Sequence, residues 1–136
     1  MMVPVPKKAI FARLGYRRSH TQLKDKDLRQ IELYIDQALD LIELKGSAVV
    51  MSVDTIDANA LRLKNSIVFE SSHLAGMMKG CGSVLLMGAT AGSRIMDEIH
   101  HDAETDNLSR GVVLDAAASE MTDEALDWIT GYVNQG

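Results

Sequence analysis

The sequence predicts a single globular domain, residues 1–136, that combines helices with short strands and ends in a long helix. Apolar residues recur every three or four positions between Asp25 and Leu44, which is typical of an amphipathic helix. The apolar, β-branched run at 48–54 is typical of a strand, and a helical pattern without proline extends from Asp106 to Asn134. A chain of 136 residues has the usual size of one domain.

The N-terminal part predicts an extended arm and two helices. Two prolines favour the arm, and residues 7–14 form a short helix that Gly15 is expected to end. The second helix spans residues 25–44, with Gly46 as its expected stop. Its apolar stripe consists of Leu28, Ile31, Ile35, Leu39 and Ile42.

The central part predicts three further strands and a short helix. Two alternating runs, 60–64 and 66–70, follow the strand at 48–54, and Asn65 with Ser66 forms the turn between them. Residues 71–80 begin with a serine cap, end in a glycine and predict a two-turn helix. Its expected inner face consists of Leu74, Met77 and Met78, and a strand from Ser83 to Met87 follows.

The C-terminal part predicts two helices. The first spans residues 93–101, with Ile95, Met96 and Ile99 expected to face inward. The second spans residues 106–134 and is roughly 40 Å long if unbroken, with Gly111 and Ser119 as points where it can bend. Its expected apolar stripe consists of Leu108, Val112, Val113, Ala116, Met121, Ala125, Ile129 and Val133.

The charge balance argues against binding to nucleic acid. The chain has 14 Lys and Arg against 19 Asp and Glu, a net charge of −5, whereas binding to a phosphate backbone depends on a basic face. We interpret the N-terminal basic cluster as a solvated edge, with an anionic partner as the alternative. This cluster consists of Lys7, Lys8, Arg13, Arg17, Arg18 and His20.

Cysteine content and apolar run lengths indicate a cytoplasmic protein without a membrane segment. The single cysteine, Cys81, excludes an internal disulfide framework and fits a reducing compartment. The longest apolar runs, such as residues 84–87, are far shorter than the roughly 20 residues that a membrane-spanning helix needs. We therefore expect no membrane partner.

The stretch GATAGSR, residues 88–94, joins a predicted strand to a predicted helix through very small residues. Its glycine spacing matches neither a nucleoside-triphosphate loop nor the G-x-G-x-x-G of dinucleotide folds, and the lysine of the first motif is missing. Small residues let another group approach the backbone closely. We favour packing against a neighbouring helix, with a flat ligand as the alternative.

The sequence contains no convincing catalytic set. His100 and His101 are adjacent and cannot share one helical face, so we interpret them as solvated residues near a helix end. Cys81 and His73 could form a thiolate and its base, but a buried, inert cysteine is favoured. We interpret the acidic residues Asp97, Glu98, Asp102, Glu104 and Asp106 as a solvated face.

Four blocks, taken in order, resemble the activation domain of cobalamin-dependent methionine synthase, especially its stand-alone relatives. They are KKAIFARLGYR (7–17), the long helix that follows it, IVFESSHLAGMMKGCGSVLLMGATAG (67–92) and GVVLDAAASEMTDEALD (111–127). The most specific motifs are Leu14-Gly15-Tyr16, Lys79-Gly80-Cys81, Thr90-Ala91-Gly92 and Leu114-Asp115-Ala116.

The resemblance implies an α+β fold with a twisted antiparallel sheet packed with helices. Domains of that family bind S-adenosylmethionine and cap the cobalamin of a partner domain. When the cobalt is oxidised to inactive Co(II), an electron from flavodoxin or another reductase and a methyl group from S-adenosylmethionine restore methylcobalamin. The resemblance implies that Thr90, Ala91, Gly92 and Asp115 lie at the ligand groove, and it assigns no catalytic or metal-binding residue.

One family motif is missing from the sequence. An Arg-x-x-x-Gly-Tyr segment that grips the methionine part of the ligand follows the family's last matching helix, whereas this sequence ends at Gly136. We therefore expect a truncated domain that binds S-adenosylmethionine weakly or not at all.

Three hypotheses of function follow. The first is an accessory domain for the reductive reactivation of a corrinoid methyltransferase. The second is a non-enzymatic interaction domain that has lost ligand binding and forms a homo-oligomer or a scaffold. The third, the least favoured, is a hydrolase or transferase that uses Cys81 and His73.

Overall fold

The computed structural model describes residues 3–16 and 24–135. Its elements are α1 (Lys7–Arg13), α2 (Asp25–Leu41), β1 (Lys45–Ile56), β2 (Leu61–Leu63), β3 (Val68–Phe69), α3 (Ser72–Met77), β4 (Ser83–Thr90), α4 (Ser93–Glu104) and α5 (Leu108–Gln135). The four strands form one curled antiparallel sheet in the order β3-β2-β1-β4. The α+β fold and the long C-terminal helix are therefore confirmed.

The described residues divide into two compact units. The first, which we call the helical unit, comprises the residues up to Gly46 and those from Ala89 onward, and contains α1, α2, α4 and α5. The second, the sheet unit, is Ser47–Gly88 and contains β2, β3, α3 and most of β1 and β4.

The core of the helical unit is built from the apolar stripe of α2 and the small residues of α5. Ile35 of α2 and Leu114 of α5 are completely buried. Three successive alanines of α5, residues 116–118, are also buried, and their small side chains allow neighbouring helices to approach closely. The complete cluster is Ile10, Ile31, Ile35, Ala38, Ala91, Ile95, Val113, Leu114, Ala116, Ala117 and Ala118.

The sheet unit contains the predicted hairpin. Strands β2 and β3 pair antiparallel with Leu61 opposite Phe69, and Ser66 in the turn between them has a positive φ of 73°. Strand β1 pairs antiparallel with β2 and has an irregularity between Val53 and Thr55. The small core of this unit is formed by Leu61, Leu63 and Val84, with Met51, Val53, Ile56, Phe69, Leu74, Met78 and Leu86 packed against it.

Two predicted boundaries are wrong. Helix α2 ends at Leu41 rather than near Gly46, because Ile42 has extended backbone and the Glu43 N–H donates to the Ala91 carbonyl at 2.8 Å. Gly46 lies inside β1. The predicted turn at 88–92 is also shorter than expected, since β4 continues to Thr90.

Several side chains assigned to helix inner faces are exposed instead. Met77 of α3 is 63% exposed and Met96 of α4 is 42% exposed. Leu108 and Val112 of α5 are 63% and 51% exposed. These residues match the helical period, but the period alone does not say which part of a helix is covered by its neighbours.

The basic residues of α1 are at the surface, as the interpretation of a solvated edge predicts. Lys7, Lys8 and Arg13 are exposed, whereas the remaining members of that cluster lie outside the described residues. Those members are Arg17, Arg18 and His20. Within residues 3–16 and 24–135, every helix is too short or too polar to cross a membrane.

Candidate functional site

The junction at Thr90, Ala91 and Gly92 is tightly packed. Ala91 is buried, and the Thr90 hydroxyl accepts a hydrogen bond from the Gly92 N–H at 3.1 Å. Gly92 has φ 90° and ψ 169°, a conformation that is essentially restricted to glycine. A Cβ atom at this position would lie 3.2 Å from both the Cβ and the carbonyl oxygen of Glu43. At Gly92 the close approach is therefore made by Glu43, in the segment after α2, and not by a helix as favoured from the sequence.

Asp115, the fourth candidate, lies on the exposed side of α5 between two buried neighbours, Leu114 and Ala116. Its charge acts weakly on Arg13 of α1, which pairs with Glu120. The pKa of Arg13 is raised, chiefly by its hydrogen bond to Glu120 and the charge of Glu120, and to a smaller extent by Asp123 and Asp115. The position of Asp115 thus associates it with the contact between α1 and α5.

A groove of about 580 Å³ lies in the helical unit. None of the four candidate residues lines it. Buried Ile31 and Val113 contribute to its lining, and Asp27 is the charged residue among the described lining residues. The lining consists of Leu14, Tyr16, Asp27, Gln30, Ile31, Tyr34, Leu108, Ser109, Val112 and Val113.

Sequence reasoning missed this groove because its residues come from three separate segments. Two signals were nevertheless present. Tyr16 and Tyr34 are two of the three tyrosines in a chain with only 4% aromatic residues. Leu108 and Val112, one helical turn apart, belong to the groove and not to the core to which they were assigned.

An ion-pair cluster around the buried carboxylate of Asp102 joins three helices near the groove residue Ser109. The Arg110 Nη1 atom lies 2.8 and 2.9 Å from the two carboxylate oxygens of Asp102 and 2.9 Å from Oε1 of Glu98. Arg110 Nε donates to Gln37 Oε1 at 2.8 Å. Burial lowers the pKa of Arg110, but hydrogen bonds to the two carboxylates outweigh this and raise it overall.

The prediction of a solvated acidic face is therefore wrong for Asp102, which is 1% exposed. Gly111 explains how α4 and α5 approach closely enough to bury it. A Cβ atom at Gly111 would lie 3.0 Å from the Cβ of Asp102. The cluster connects α2, α4 and α5, and Arg110 compensates the buried charge of Asp102.

The cysteine and the histidines considered for catalysis or metal binding lie on the surface of the described part of the chain. Cys81 is exposed, so the prediction of a buried cysteine is wrong, and His73 is exposed as well. His100 and His101 are both exposed, as expected for solvated residues. In the part of the chain that the structure describes, no three His, Cys, Asp or Glu residues are grouped so that they could hold a metal ion.

Two groups of apolar side chains are exposed on the surface, one on α5 and one in the sheet unit. Trp128 and Tyr132 of α5 stack with ring centroids 5.4 Å apart and an interplanar angle of 8°. In the sheet unit, Val49 and Val50 are 51% and 61% exposed beside a cavity of about 240 Å³. That cavity is lined by Ser47, Ala48, Val49, Leu86, Met87 and Gly88.

Comparison of the sequence with known protein families found no matching family, and comparison with curated proteins found no significant match. Within the described residues, the arrangement offers a concave apolar groove and exposed aromatic and aliphatic side chains. A concave apolar groove of this kind is suited to binding.

Proposed function

We propose that the chain is an accessory domain for the reductive reactivation of a corrinoid methyltransferase such as methionine synthase. The observation that carries the proposal is the convergence of three motifs of the resemblance in one core. Ala91 and Leu114 belong to the core of the helical unit, and Leu14 and Tyr16 pack against it. Motifs that are distant in the sequence but pack in one core help to determine the fold, and members of a family share their fold.

In this proposal the domain acts by docking onto the partner that carries cobalamin. The stacked pair Trp128 and Tyr132 is a suitable contact, because the two residues are 39% and 66% exposed and their rings stack against each other. Aromatic side chains are enriched in protein interfaces, and rigid groups lose little conformational entropy on binding. The electron comes from a flavodoxin-like reductase.

S-adenosylmethionine is the methyl donor in the proposed reaction. The sequence has no Arg-x-x-x-Gly-Tyr motif. The carboxylate of the methionine part would then lack a paired charge. We propose that the chain contributes mainly the docking surface, in a cytoplasmic setting where the exposed thiol of Cys81 stays reduced.

The test is a titration of the purified chain into the cobalamin-binding domain of a methionine synthase held in the Co(II) state. Calorimetry should detect a complex, and methylcobalamin absorbance should appear faster with the chain once reduced flavodoxin and S-adenosylmethionine in large excess, above the weak Kd expected for this chain, are added. Replacing Trp128 and Tyr132 together by alanine should weaken the complex at least about tenfold. The matched control is His100→Gln, an exposed change on α4, which should have no effect. Absence of a complex with the unmodified chain would contradict the proposal.

The second candidate, a self-associating interaction domain, is favoured by Val49 and Val50. Consecutive residues of a strand point to opposite faces, so the exposure of both means that neither face of β1 is covered at this point. Exposed apolar strand residues promote association. Light scattering during gel filtration should then give a dimer for the unmodified chain and a monomer for Val50→Lys. A monomer at every concentration tested would exclude this candidate.

A further inference from the structure

We propose that the groove of the helical unit binds a planar aromatic ligand that carries a positive charge. This site is independent of the proposed corrinoid function. It contains none of the residues Thr90, Ala91, Gly92 and Asp115, and it does not include the aromatic pair on α5. The inference rests on the size of the groove, its lining and its charge.

The size and composition of the groove are those of a small-molecule site. Its volume of about 580 Å³ falls within the roughly 300–1,000 Å³ typical of ligand pockets. Seven of the ten described lining residues are aliphatic or aromatic, and three are polar: Asp27, Gln30 and Ser109. A mainly apolar lining with a few polar groups gives a ligand both affinity and a defined orientation.

The groove is anchored on rigid elements. Ile31 is 9% exposed and Val113 is 5% exposed, and both belong to the core of the helical unit. By contrast, Leu108 and Val112 lie one turn apart at the start of α5 and leave 63% and 51% of their surface exposed. A flat ring placed against these two side chains would remove apolar surface from water, which is the favourable term in its binding.

The two tyrosines provide aromatic surface. Tyr16 is held in place by the turn that ends α1, where Gly15 has φ 90° and the Tyr16 N–H donates to the Phe11 carbonyl at 2.9 Å. Tyr34 lies on α2, and both rings are half-buried. The negative face of an aromatic ring attracts a cation, and flat rings also pack well against tyrosine.

The charged side chain in the described lining of the groove favours a cation over an anion. Asp27, in the first turn of α2, is the one ionised side chain among the described lining residues. Arg110 follows the lining residue Ser109 in α5. Its guanidinium group already donates hydrogen bonds to Asp102, Glu98 and Gln37. The negative charge of Asp27 therefore faces the groove without a basic lining residue, in the described part of the chain, to offset it.

The carboxylate of S-adenosylmethionine distinguishes that molecule from the proposed ligand, although its sulfonium and ammonium groups are positive. That molecule carries a carboxylate, which would meet Asp27 and no described basic group in the groove. A planar cation without a carboxylate has no such penalty.

The test uses 1-methylquinolinium as the probe and its uncharged isostere 4-methylquinoline, at a pH where the latter is neutral. Chemical-shift titration of the full chain should give saturable binding of the cation with a Kd below about 1 mM. The neutral isostere should bind at least about fivefold more weakly. The shifts should cluster at Tyr16, Tyr34 and Val112.

Two variants and one control separate the charge from the shape. Asp27→Asn should weaken the cation about fivefold and leave the neutral compound unchanged. Val112→Lys, at a half-exposed position that tolerates substitution, should weaken the cation about tenfold. Asp97→Asn removes an exposed charge on α4, outside the groove, and should change neither affinity. Equal affinities for the two compounds, an unchanged cation affinity in both groove variants, or no saturable binding would overturn the proposal.

Discussion

Removing Arg110 alone should destabilise the protein more than removing Arg110 together with the charge of Asp102. In the native structure the Asp102 carboxylate is 1% exposed and receives hydrogen bonds of 2.8 and 2.9 Å from Arg110. Arg110→Met keeps the length of the apolar stem but removes every one of these bonds. The carboxylate would then remain buried in the helical unit without its counter-charge.

The burial of Asp102 determines how much stability Arg110→Met should lose. Leaving a buried charge without its partner costs about 3–5 kcal/mol, which is a large fraction of the roughly 5–15 kcal/mol that stabilises a domain. In the double variant Arg110→Met, Asp102→Asn, no charge remains to be compensated at either position. The remaining cost is that of a poorly paired buried amide, about 1–3 kcal/mol. The double variant should therefore be more stable than Arg110→Met.

Urea unfolding followed by circular dichroism measures these differences, provided that the slope with denaturant is constant across the variants. The matched control is Arg62→Met, which breaks the Arg62–Asp57 pair at the surface, where the two side chains are 44% and 50% exposed. This control should change stability very little. If Arg110→Met costs less than about 1 kcal/mol, or if the double variant loses the sum of the two single effects, the reasoning about burial is wrong.

Three further predictions concern glycine geometry, titration and ligand binding. Gly92→Ala should lower the free energy of unfolding by about 2–4 kcal/mol in denaturant melts, because it adds backbone strain and a close contact with Glu43. Gly131→Ala, in a helix with open space around it, should instead raise the free energy of unfolding by about 0.5–1 kcal/mol. Equal effects of the two substitutions would refute this reasoning. The hydrogen bond from Arg62 lowers the pKa of Asp57. This hydrogen bond therefore stabilises the protein above the pKa that Asp57 has in the unfolded chain, and the stabilisation is lost as the pH falls through the lower pKa of the folded state. Carboxyl NMR titration should show this pKa rise in Arg62→Met, and an unchanged value would contradict the assignment. The 136-residue chain should bind S-adenosylmethionine with a Kd beyond about 1 mM by calorimetry, and a value below about 50 μM would disprove the expectation.

The candidate site shows where prediction from the sequence stopped. The small residues of Thr90-Ala91-Gly92 correctly indicated a close approach, because only very small side chains permit one. Which group makes that approach was not predictable, since Glu43 is distant in the sequence and reaches Ala91 only because α2 ends at Leu41. The groove escaped prediction for the same reason, as it joins residues from α2, α5 and the turn after α1.

Local sequence alone determined the type and order of most elements. The period of the apolar residues in α2, the Ser71 cap that accepts a hydrogen bond from the Leu74 N–H, and the turn at Asn65 and Ser66 are all short-range effects. They depend on neighbouring residues along the chain, so the sequence contains what is needed to predict them.

Only the tertiary structure decided which side chains are buried. Val112 and Val113 both fit the helical period of α5, but the packing of the helices leaves Val112 half exposed in the groove and buries Val113 in the core. Asp102, which composition places at the surface, is buried because Gly111 allows α4 and α5 to approach and Arg110 compensates the charge. Burial depends on contacts between residues that are far apart in the chain, and such contacts leave no local pattern to recognise.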